Sequence, residues 1–276
     1  MKKVFFIFLS VVLFTIGCEK ETLKSDKLEL KQIELEKPEL SELSELSELE
    51  LIELKVEELG IKDLYNIETV IHNPNNIYES FGILHNYGLD MITKKMEGIN
   101  LTDFSKEVLC NKLYEFSREI NLEIPKSLLE KMPFEKPFEE SDILSETTLN
   151  SLVTDGFLNN KEKNLIVKLR TIAEQSISLK EFQNNVISIE NGVLADNSLT
   201  KDEKEKFLIT CAISRYSAAY WESQNLNSSK PLWLDALFFA ISDAMGGMIG
   251  LFIGGPIGLI FGSIGLSYVC AYVLTL

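Results

Sequence analysis

The chain has 276 residues, is 45% hydrophobic and 9% aromatic, and carries 42 acidic against 27 basic side chains for a formal net charge of −15. That balance excludes a nucleic-acid binder, which needs Lys and Arg in number to neutralise successive phosphates. Two histidines without an H-E-x-x-H pair and four cysteines without a C-x-x-C pair exclude the common sequence-local metal sites.

The N-terminus reads "MKKVFFIFLSVVLFTIGC": Lys2 and Lys3, then no charge from Val4 to Gly17, then Cys18 and the polar "EKETLKSDK". A basic start and a short apolar run are the parts of a secretory signal, and the run is too short to span a bilayer comfortably. "TIGC" resembles the lipobox of bacterial lipoproteins, with Thr15 where that family usually has leucine. The resemblance implies that residues 1–17 are removed and that Cys18 carries lipid. More than one acyl chain, each worth roughly 0.8 kcal/mol per buried CH₂, gives stable anchoring. The expected location is the cell envelope, at the outer membrane or cell surface. An ordinary signal peptide with an incidental cysteine is the alternative.

Residues 18–60 read as an acidic tether. Positions 19–60 hold 14 acidic and 6 basic residues, and "ELSELSELSELELIEL" places leucine at 40, 43, 46 and 49. A three-residue period drifts around a helix and builds no stripe to bury. Self-repulsion and poor burial give a low-complexity spacer that lifts the body off the membrane. An acidic surface recruiting a basic partner is the rival explanation of the same residues.

Residues 61–228 carry apolar side chains at helical spacing and no sustained alternation, so a helical domain of about 170 residues is expected, long enough for a proper core. Asp155 to Lys163 and Asp196 to Lys204 align at an offset of 41, matching Leu158 with Leu199 and Glu162 with Glu203. Both copies have capping-box spacing, Asn159 to Glu162 and Thr200 to Glu203, each preceded by a leucine placed to staple the first turn. The loop "DGFLNN" lacks the ligand ladder of a calcium-binding EF-hand.

"HNPNNIYESFGILHNYGLDMI", residues 72–92, is expected to enter a helix just after Pro74 with Asn75 or Asn76 as cap. On that helix Phe81, His85, Gly88 and Ile92 share a face. Gly88 allows close approach of a neighbouring helix, and His85 at the edge of the contact needs a partner, a backbone carbonyl or Asn86. A ligand or metal role for His85 has only His72 to support it. The segments "NNIYESFGILHNYGL" and "ISRYSAAYW" with the glycine-rich end resemble a group of bacterial envelope proteins of unassigned function, which implies that body and tail belong together and supplies no activity.

No catalytic constellation is encoded. "FGSIG" has Phe261 where G-x-S-x-G needs its first glycine, and there is no phosphate-binding loop or dinucleotide fingerprint. Neither enzymatic activity nor a cofactor is expected. Cys110, Cys211 and Cys270 read as small buried apolar residues, with a Cys110 to Cys211 bridge as the alternative.

Residues 233–276 form the most distinctive segment. No charge follows Asp243, and Gly246, Gly250, Gly254, Gly258 and Gly262 recur at every fourth position. Gly254, Gly255 and Pro256 mark a break between two helices, about 234–253 and 257–274, which form a hairpin whose glycines allow backbone contact. This resembles the glycine-zipper domain of outer-membrane lipoproteins and, more distantly, glycine-rich helices of small secreted bacteriocins. The fold expected is all-α, an irregular helical bundle with a C-terminal glycine-rich hairpin. The function implied is that of a lipid-anchored envelope protein with a structural or interaction role, its zipper mediating membrane association and self-association into a homo-oligomer. Two rivals stand beside it: a soluble core in which the glycines pack the hairpin against the body, and an antibacterial toxin whose body shields the hairpin until a target membrane is met.

Overall fold

The computed structural model describes residues 47–65, 69–99, 104–133, 144–224 and 232–275. The signal segment, Cys18 and the acidic repeat as far as residue 46 lie outside the described residues. Ten helices and no strand are found among the residues described, so the fold is all-α as the periodicity predicts.

The chain enters through α1 (Glu48–Glu58), capped by Ser47, whose side chain accepts from Glu50 N while Glu50 reaches back to the Ser47 N–H. Short α2 (Lys62–Tyr65) follows, then α3 (Glu79–Met96), α4 (Lys106–Glu119) and short α5 (Lys126–Leu129). Next come α6 (Glu146–Thr154), α7 (Asn160–Gln175), α8 (Leu179–Ala195) and α9 (Lys201–Ser223). The last element, α10 (Leu232–Thr275), is two helices joined across non-helical backbone at Gly254 and Gly255.

Both predicted capping boxes are formed: Asn159 with Glu162 opens α7, and Thr200 with Glu203 opens α9. Leu158 is buried behind the first. The expected cap of α3 differs. Tyr78 occupies the N-cap position with no side-chain cap bond. Asn76 accepts from Tyr78 N at 3.0 Å and spends its amide on Glu190 and on Leu208 O, 2.8 and 3.0 Å away. The NH₂ group ties Asn76 to α8 and α9, and its acceptor oxygen closes a turn at Tyr78 N, one residue ahead of the helix.

The tether gives up its last residues to the core. Ile52 and Val56 are buried, and α1 packs on α3 and on α10. The triplet repeat ends at Leu49, after which apolar residues fall at 49, 52, 56 and 59, a three-four spacing that makes a stripe. Starting the chain at Gly60 therefore removes two core side chains, each worth about 1.5–3 kcal/mol. The truncated chain is expected to melt roughly 5–15 °C below the chain from residue 18. Coincident melting curves would take α1 out of the core.

The hairpin and the helical domain expected beside it belong to one compact unit, Leu40–Leu276. The hairpin lies at its centre, with α9 along it and α7, α3, α5, α4 and α1 packed around it. Helix α9 is buried continuously from Phe207 to Tyr220, packed against the hairpin, α3 and α8.

Candidate functional site: a sheathed hairpin

The two legs of α10 touch through backbone. A Cβ added at Gly250 would stand 2.0 Å from Gly258 O, and one at Gly246 would stand 2.5 Å from Gly262 O. Reciprocally, added Cβ atoms at Gly258 and Gly262 would each lie 2.3 Å from the carbonyl oxygens of Gly250 and Gly246. No side chain other than hydrogen fits these four positions, and the contact is made by dispersion and Cα–H···O interactions.

Gly254 is the exception among the five glycines of the predicted stripe. The facing pairs are symmetric about it, so it has no partner across the seam. It takes φ −143° and ψ 25° in the bend, facing Ile124 just ahead of α5 and Leu128 within it. Gly255 turns the chain at φ 64° and ψ −163°, a region open essentially to glycine alone. Pro256 then opens the second leg, where its missing N–H costs nothing.

The sheath is cut to fit. Gly88 on α3 leaves room for Ile264 of the second leg, whose Cδ1 would lie 2.3 Å from an added Cβ. Phe116 of α4 meets Phe261 edge-on at 5.8 Å between ring centroids, and Trp221 of α9 stacks on Phe239 at 4.3 Å. The predicted face of α3 is buried along its length, from Phe81 through His85 and Gly88 to Ile92.

One acidic side chain of the hairpin is fully buried, bonded from α9 and faced by α3. Asp243 Oδ2 accepts from Ser217 Oγ of α9 at 2.6 Å and lies 3.4 Å from His85 Nε2 of α3. His85 Nδ1 lies 3.1 Å from Asn86 Oδ1, and the Asn86 amide donates to Tyr216 O at 3.1 Å. The other oxygen of Asp243, Oδ1, is buried with no hydrogen-bond partner. Ser217, His85 and Asp243 share the composition of a hydrolytic triad but not its geometry. The hydroxyl bonds the carboxylate and not the ring, and all three residues are closed to solvent.

A second knot fastens the chain ahead of α3. Arg215 of α9 donates to Glu190 Oε1 of α8 from Nε at 3.1 Å and Nη2 at 3.0 Å, to Ile71 O at 2.6 Å, and to Glu79. Asn73 and Asn76 complete the shell of Glu190 at 2.7 and 2.8 Å. Burial pushes the Glu190 carboxyl above the ordinary carboxylate range, and Arg215, Asn73 and Asn76 pull it part of the way back. Burial alone would lower Arg215, but Glu190 and Glu79 more than offset it and hold the guanidinium charged. Toward the surface Glu79 Oε2 takes Tyr216 OH at 2.9 Å and lies 3.0 Å from His72 Nδ1. Sequence reasoning passed over Arg215 and Glu190, although a lone Arg in the apolar "CAISRYSAAYW" signals a buried pair.

Tyr220 and Tyr65 both donate to Asp90, each at 2.6 Å. Burial, reinforced by Asp90, raises both phenols, and burial with Glu79 raises Tyr216. A phenol raised on folding contributes stability that is whole below the ordinary tyrosine value near 10 and is lost as pH climbs through the folded value. Alkaline unfolding is expected to begin near pH ~10 and to coincide with the appearance of phenolate absorbance. Phenolate that appears well before the helical signal falls would contradict this.

Among the described residues no group of three His, Cys, Asp or Glu is placed to hold a metal ion. Cys110, Cys211 and Cys270 are buried, and Cys110 and Cys211 form no disulfide. Burial pushes the Cys211 thiol well up.

The segment Asp235–Cys270 is long and apolar enough to cross a membrane, and most of it is buried inside the protein. No family model, curated protein or solved structure matches the chain. Its reading therefore rests on the hairpin's own chemistry.

Proposed function

We propose that this is a lipid-anchored envelope protein that carries a membrane-insertable hairpin in storage, and that the helical body is the sheath. This is the toxin-like alternative raised by the sequence, preferred here over a purely structural role. The observation that supports it is a buried hairpin with a single fully enclosed acidic side chain, Asp243, whose two legs meet through glycine backbone. An ordinary core helix depends on its neighbours for cohesion, whereas these legs meet through four glycines of their own. At 1.5 Å per residue, the second leg, 256–275, is about 30 Å long, the thickness of a hydrocarbon core. In the stored state the seam glycines are occupied within one chain, so self-association through them requires the legs to part first. Cys18 lipid would hold the protein at an envelope membrane.

The test pairs the full-length protein with lipid vesicles. Protease digestion of the vesicle-bound protein is expected to leave a protected fragment covering 232–276 while the sheath helices are cut. Complete digestion of the hairpin, or complete protection of the sheath with it, would reduce the hairpin to a permanent soluble core. Fatty-acid labelling lost in Cys18→Ser is the matching expectation for the anchor, and a wild type that takes no label removes it.

A further inference from the structure

The bend of the hairpin reaches the surface. Phe252 is 63% exposed, and Ile253, Gly254, Gly255, Pro256 and Ile257 are half-buried, although the legs behind them are enclosed. Phe157, ahead of α7, meets the Phe252 ring edge-on at 6.2 Å. Ile124 and Leu128 flank Gly254. The result is an apolar tip without a charge of its own, continuous with a second leg that carries none and with the part of the first leg beyond Asp243.

We infer that this tip is the docking surface for a zwitterionic lipid bilayer, with Phe252 the side chain that enters the headgroup boundary first. The inference rests on the reading of the hairpin as membrane-insertable and names the lipid it meets. Two observations select that occupant. The tip is the exposed end of a segment long and apolar enough to cross a membrane, so a bilayer is an occupant that suits both Phe252 and the legs behind it. Charge decides the class of lipid: with a net charge of −15 the protein is repelled by anionic headgroups. On α5, the charge of Lys126 is offset by Glu130 3.8 Å away. Docking is therefore driven by apolar area and not by charge, and salt should not release it.

The experiment uses the mature-length chain with Cys18→Ser, so that no acyl chain contributes, and follows sedimentation with phosphatidylcholine vesicles. Binding is expected, unchanged by salt and no stronger when phosphatidylglycerol is included. Phe252→Glu is expected to lower partitioning roughly tenfold or more, while Phe252→Trp keeps it and shifts its emission to the blue on binding. Ile177→Glu, at a residue 80% exposed between α7 and α8, is the control expected to bind as wild type. Matching thermal melts separate loss of binding from loss of fold. If Phe252→Glu binds and gains hairpin protection like wild type, the tip is not the docking surface although the stored-hairpin reading survives. If the parent chain neither binds nor protects its hairpin, both fall. A preference for phosphatidylglycerol reversed by salt overturns the lipid class. A concentration-dependent dimer abolished by Phe252→Glu, with no vesicle binding, assigns the tip to a second copy of the chain.

Discussion

Gly250→Leu is expected to leave no folded protein. Even the first carbon of the new side chain would stand 2.0 Å from Gly258 O and 2.7 Å from Gly258 C, both backbone atoms that no rotamer change can move aside. The legs would have to separate, and the second leg is fixed from outside by Ile264 seated over Gly88. Overpacking a well-filled core costs about 1–3 kcal/mol when side chains can adjust, and this contact offers none to adjust, so about 3 kcal/mol or more is expected even for Gly250→Ala. Typical domains have only about 5–15 kcal/mol in all. Gly192→Ala is the matched control: helical, exposed, with nothing within 4 Å of the added carbon, and expected to gain about 0.4–1 kcal/mol. Gly254→Ala should be milder than Gly250→Ala, because the nearest atom it meets is the Ile124 Cδ1 at 3.3 Å. Equal urea midpoints for Gly250→Ala and Gly254→Ala would mean that the legs do not touch.

Asp243→Leu is expected to move the hairpin toward the membrane. Inside the protein Asp243 accepts from Ser217, and replacing it leaves that buried hydroxyl without its partner, a cost of about 1–3 kcal/mol. In a bilayer the same aspartate is a liability of about 2.5–3.5 kcal/mol at mid-depth, and leucine removes it. Both changes point the same way, so the balance between stored and inserted hairpin should shift by at least a hundredfold. His85→Ala isolates the first effect, since it weakens the stored state and leaves the aspartate in the leg. It is expected to destabilise the soluble protein without speeding vesicle insertion as much as Asp243→Leu does. The readout is the rate at which 232–276 becomes protease-protected on phosphatidylcholine vesicles. A leucine variant that inserts no faster than wild type would make the Ser217 and His85 contacts to Asp243 irrelevant to release.

The all-α fold, the two capping boxes and the break at Gly254 to Pro256 were legible in the sequence because each is written in neighbouring residues. The period of 3.6 needs a dozen positions, a capping box needs four, and a bend needs a glycine beside a proline. What escaped was whatever joins distant positions. Asp243 read as the last charge before an uncharged run and His85 as a ring in want of a partner, and nothing in the chain shows that 158 residues of separation bring the two to 3.4 Å. Arg215 with Glu190, Asn73 and Asn76 is hidden for the same reason. The glycine register misled at one position: a repeat of four marks five equivalent residues, but a hairpin that folds on the middle one leaves it no partner. At the tether, the eye follows the leucine triplet past Leu49, where the spacing has already changed to three and four.

The backbone seam has a consequence for what can travel. A helix pair glued by water exclusion comes apart in oil, because hydrocarbon solvates its side chains as well as the partner did. Contacts between glycine backbones do not rely on the exclusion of water and persist in hydrocarbon. On the proposed reading, a hairpin leaving its sheath would exchange outer neighbours for acyl chains and carry its inner joint with it. In mild detergent the two legs should remain paired long after the surrounding helices have dispersed.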